Sequence, residues 1–113
     1  MGENAERLEI ERLIRTLGIS ATYRGYHYLN YGIYLCLQNE DYLLSVSKLL
    51  YPQIANTYHT TSCNVERNIR TVIKICWDRG NRIFLQQIAM HTLEIRPTSS
   101  KFIDILVGHL KQT

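Results

Sequence analysis

The chain has 113 residues, 45% hydrophobic and 20% charged, enough apolar material for one modest core and one domain. Lys and Arg number 13 against 10 Asp and Glu, a net charge of +3, so this is no polycation and any anion binding must come from how charge is distributed. Three cysteines without a CxxC pair exclude a disulfide framework, and no leader segment or membrane-length apolar run is present, so the expectation is a cytoplasmic protein with no membrane association.

Helical periodicity runs through the whole chain. Residues 4–17 place Ile10, Leu13, Ile14 and Leu17 on one face, and Gly18 stops that helix. Its start is acidic, with Glu3, Glu6, Glu9 and Glu11 against Arg7. Residues 25–38, "GYHYLNYGIYLCLQ", put Tyr26, Leu29, Ile33, Cys36 and Leu37 inward and leave Tyr28, Tyr31 and Tyr34 off the stripe. Such tyrosine density admits base stacking, but burial of large rings with their hydroxyls at the edge is the better account. A third helix is predicted over 41–50 with Leu43, Val46, Leu49 and Leu50 inside, and a fourth over 52–58 with Pro52 in its first position. His59, Thr60 and Thr61 form a turn. Thr61 caps the next helix, which runs to Arg79 and ends at Gly80 as a left-handed cap. A short helix over 82–90, an irregular stretch over 91–97 and a last helix over 99–111 capped by Thr98 complete an all-α bundle of about six helices.

The helices around the turn at 59–61 carry the functional signal. Ile54, Ala55 and Tyr58 face inward on the first, and Val65, Ile69, Val72, Ile73, Cys76 and Trp77 on the second. A two-turn helix, a short connection and a small Ala55 where a crossing helix must approach make the pattern of a helix-turn-helix, whose second helix lies in the major groove. Outward residues suit that task. Arg67 and Lys74 are read mainly as phosphate contacts, and Arg70 can pair bidentately with guanine. Asn64 can pair with adenine, and Glu66 can accept from cytosine N4. Thr60, Thr61, Ser62 and the free N–H groups at the helix start suit phosphates. The same spacing also describes a solvated face on which Glu66 and Arg70 merely pair.

The block "TTSCNVERNIRTVIKICWDRGN" at 60–81 closely resembles the TT-xxx-VER-x-IR-xxI-xxxW-x-RGN signature of the C-terminal effector domain of the sporulation response regulator, the stage zero sporulation protein A family. "GYHYL" at 25–29, "KLLYPQIA" at 48–55 and "PTSSKFI" at 97–103 agree with it in order. The resemblance spans residues 6–112 and implies an all-helical, sequence-specific DNA-binding regulator of sporulation-type genes with its recognition helix over about 62–79. It implies base and phosphate contacts for Thr60, Thr61, Glu66, Arg67 and Arg70. It also implies a contact with RNA polymerase sigma factor from Gly80 and Asn81 onward, and paired domains on tandem sites.

Full-length members of that family carry a receiver domain. The expectation for residues 1–113 is a single helix-turn-helix effector domain with no receiver. This sequence departs from the family pattern at Asn64, usually arginine, at Asn68, usually alanine, and at Lys101, usually acidic, which removes a capping box. The stretch between Asn81 and Pro97 is slightly shorter than usual.

An enzyme is not expected. His27, His59, His91 and His109 lie on separate elements without metal-ligand spacing, and no Gly-rich phosphate loop occurs, so neither metal nor cofactor is expected. Cys63 is read as a small residue filling the turn rather than as a redox-sensitive thiol. The competing function is a protein-interaction module of the same fold that has lost specific DNA binding.

Overall fold

The computed structural model describes residues 3–112. Six α-helices follow in order: α1 (Glu3–Thr16), α2 (Arg24–Gln38), α3 (Tyr51–Tyr58), α4 (Ser62–Asp78), α5 (Arg82–Ala89) and α6 (Ser99–Lys111). There is no strand among the described residues, and the fold is the all-α bundle the periodicity predicts. α2 runs through the middle and packs on α1, α3, α4 and α6. Around it lies one continuous core in which Ile10, Ile14, Leu29, Ile33, Ile54, Ile69, Leu85 and Phe102 are fully buried. Cys36 and Cys76 sit in that core, and burial pushes both thiols up to about 11. The three cysteines are free, with Cys63 exposed.

Residues 41–50 do not form the predicted helix. Asn39 and Ser45 both adopt extended backbone, and each caps a new start, Asn39 for a 3₁₀ turn over Glu40–Leu44 and Ser45 for a wide π-type turn over Val46–Leu50. Leu49, expected inside, is therefore 45% exposed. The π-type turn runs straight into α3, and the Tyr51 N–H donates to the Val46 carbonyl. Pro52, in the second position of α3, has no N–H to donate and would press on the carbonyl four residues back. The wider turn before it relieves that conflict.

Gly80 also departs from expectation. Among the described residues Gly18 is the glycine with positive φ, at 86°, and Gly80 is not left-handed. What Gly80 supplies is room. A Cβ there would lie 2.6 Å from the Leu17 carbonyl and 2.8 Å from Cys76 Cα. This close approach lets the Asn81 N–H donate to the Leu17 carbonyl at 3.0 Å, tying the end of α4 to the end of α1. Two tyrosines exchange places relative to the helical stripe. Tyr28 is buried and Tyr58 is 40% exposed, because the end of α3 folds back over α2 and sets the two rings edge to face with centroids 5.1 Å apart.

Candidate nucleic-acid interface

α3 and α4 are joined by His59, Thr60 and Thr61. His59 takes the left-handed conformation, φ 55° and ψ 49°, and lets the Thr60 N–H reach back to the Ala55 carbonyl at 2.9 Å. The Thr61 hydroxyl then accepts from the Asn64 N–H at 3.0 Å, capping α4 as its sequence predicts. Ile54 and Ala55 of α3 and Val65, Ile69, Val72, Ile73 and Cys76 of α4 are buried. α4 is pressed on the start of α2, where a Cβ at Gly25 would stand 2.2 Å from the Asn68 carbonyl oxygen. Docking of its apolar face leaves one face of α4 outward at the turn.

That face holds the residues singled out from sequence. Arg67, Arg70 and Lys74 are exposed, while Ser62, Asn64 and Glu66 are half-buried. Local bonding differs sharply among them. Arg70 Nη1 donates to Glu66 Oε2 at 2.6 Å, and Lys74 Nζ to Asp78 Oδ2 at 2.6 Å. The Lys74 ammonium holds the Asp78 carboxyl below the usual carboxylate range. Arg67 has no carboxylate partner among the described residues, and its guanidinium lies 4.0 Å from Cys63 Sγ. Asn64 sits in a polar chain. Its amide nitrogen donates to Thr60 Oγ1 at 2.9 Å, and its amide oxygen accepts from Asn68 Nδ2 at 3.0 Å. Asn68 also donates to the Asn64 carbonyl at 2.8 Å. The alanine that the resemblance leads one to expect at 68 could make neither bond.

Two grooves flank this face and bring in residues that sequence reasoning missed. One, of about 390 Å³, is lined by Arg24, His27, Tyr28, Tyr58, His59 and Thr60. The other, of about 300 Å³, sets Arg96 and the start of α6 beside Glu66 and Arg70. Arg24 and Arg96 lie far along the chain from the turn, and no local pattern marks either. The hint for Arg24 was Gly25 beside it, a residue type that permits close helix approach. Among the described residues no group of His, Cys, Asp and Glu gathers to hold a metal ion, and no helix is long and apolar enough to cross a membrane.

A family model described as the C terminal of the sporulation initiation factor Spo0A matches residues 10–110.

Proposed function

The chain belongs to the Spo0A C-terminal family, whose members are DNA-binding regulatory domains of sporulation regulators rather than enzymes, and from that premise we propose that α4 is its recognition helix and enters the major groove sequence-specifically. The observation that carries this reading is the outward face of α4 at the turn, where Arg67, Arg70 and Lys74 are exposed beside the half-buried Asn64 and Glu66 while the opposite face is buried on α2 and α3. Asn64, Glu66 and Arg70 are the base readers in this proposal, and the Glu66 carboxylate also holds the guanidinium of Arg70 in place. Arg67, Lys74, Thr60, Thr61 and Ser62 address the backbone. Lys74 must leave Asp78 to do so, an exchange of one surface ion pair for another that costs little.

Titration of duplex libraries at several salt concentrations tests the reading. A specific binder shows a preferred sequence and a salt slope of about −0.9 for each phosphate neutralised. Equal, weak binding to every duplex would instead favour an interaction module. The proposal extends to residues 1–113 as a single effector domain, to a cytoplasmic site of action on chromosomal DNA, and to a contact with RNA polymerase sigma factor through the segment after Asn81. That segment exposes Ile83 and Met90 on and beside α5, each at 74%. Ile83→Glu should abolish sigma-factor capture while leaving duplex affinity unchanged. Capture at the native level would remove this contact from the proposal.

A further inference from the structure

The groove beside the turn has the chemistry of an anion site. Its lining contains an arginine, two histidines, two tyrosines and a threonine, and no carboxylate. Arg70 and Lys74 of α4 are each bonded to an acid one turn away, whereas the Arg24 side chain, with neither ion pair nor hydrogen bond among the described residues, joins Arg67 as a cation without a carboxylate partner. Its charge is thus uncompensated at the rim of an open cavity of about 390 Å³. Thr60 adds a donor. Its oxygen already accepts from Asn64, so its own hydroxyl hydrogen is left to give. His59 adds another, since its ring makes no hydrogen bond among the described residues and lines the same cavity. His27 is different. A carbonyl can only accept, so Nε2 must carry the proton in its 2.8 Å contact with the Ala21 oxygen, and the ring forms a wall.

We propose that Arg24, His59 and Thr60 form a clamp for one DNA backbone phosphate, set beside the reading face of α4. This rests on the DNA-binding reading above and gives it a fixed register. Thr60 touches both the clamped phosphate and the Asn64 amide, so seating the phosphate sets the base-reading group at a defined distance from the strand. The position of Arg24 follows from Gly25, which lets the start of α2 lie against the Asn68 carbonyl of α4. Backbone contacts of this kind fix orientation without carrying sequence information.

The test uses the full chain and duplexes in which single phosphates are replaced, one at a time, by neutral methylphosphonates. Arg24→Ala should weaken all duplexes alike and reduce the magnitude of the salt slope by about 0.9. At one backbone position the neutral linkage should weaken native binding but cost Arg24→Ala nothing further. His59→Asn, a residue that tolerates the left-handed backbone, and Thr60→Val should lose affinity for that same phosphate. Arg24→Gln serves as a second variant, and melting curves verify that each protein folds. Unchanged affinity and slope in Arg24→Ala, on a duplex that the native chain binds, would overturn the clamp and leave the DNA-binding reading standing. A native chain that binds no duplex would overturn both. Titration with inorganic phosphate distinguishes the remaining source. If it shifts the Arg24 and His59 resonances while Arg24→Ala keeps native duplex affinity, the groove is a free-anion site and not a backbone clamp.

Discussion

At the scale of single residues, Asn64 is the position where this chain differs most consequentially from the arginine that its resemblance leads one to expect. A primary amide offers two N–H donors and two acceptor lone pairs. Thr60 takes one donor and Asn68 one lone pair, so one of each remains, the complement that adenine N6 and N7 require. The polar chain therefore orients Asn64 without exhausting it, and Asn68 acquires a role as its support. On the proposed reading, Asn64→Arg should move preference at one base pair from adenine toward guanine by about 1–3 kcal/mol, the usual worth of a bidentate pair. Asn68→Ala should blunt discrimination at that same pair while leaving the others alone. Fluorescence anisotropy on duplexes varied one base pair at a time, at fixed salt, reads both. Identical preferences for native protein and Asn64→Arg at every position would take residue 64 out of the reading set.

Between elements, the decisive contact is the crossing of α2 over α4. Gly25 stands in the first turn of α2, and a methyl group there would come within 2.2 Å of the Asn68 carbonyl and 2.8 Å of Val72 Cγ1. Backbone at that distance cannot yield without moving a helix. Gly25→Ala should thus lower stability by about 1–3 kcal/mol, the range of overpacked cores, even though alanine is the better helix former. Urea unfolding measures it. Gly108→Ala is the matched control, because nothing lies within 4 Å of a Cβ at that glycine on α6. There the helix propensity should prevail and stability should rise by about 0.5–1 kcal/mol. Equal effects at both glycines would mean that the tight crossing does not constrain the fold.

On the scale of the whole molecule, size bears on how copies would sit on DNA. The described residues extend 33 × 32 × 28 Å, close to the ~34 Å of one turn of the double helix. Two copies reading sites one turn apart would therefore come side by side without a linker. The large apolar side chains left outside the core include Leu44, Ile83, Met90 and Ile95, and on the proposed reading it is the duplex, rather than an interface between free copies, that pairs two copies. Sedimentation should show a monomer without DNA and two copies on a duplex carrying adjacent sites. A stable free dimer at micromolar concentration would count against assembly on DNA.

Much of what depended on neighbours within a turn or two could be read from sequence, though not the cap at Gly80, which is not left-handed. The apolar stripes of α1, α2, α4 and α6, the caps at Thr61 and Thr98, and the outward row from Asn64 to Lys74 all follow from helical period and local hydrogen bonding, which are set by residues three or four apart. Residues 40–50 resisted that reading because two caps and the proline that follows compete within a short span, and packing on α2 and α3 decides where helix resumes. Tertiary structure alone brought Arg24 to His59 and Thr60, and Arg96 to Glu66 and Arg70. Those meetings depend on the angle and depth at which distant helices dock. Gly25 and Gly80 set that depth by the side chains they lack, and no periodicity in the chain records what an absent side chain allows to approach.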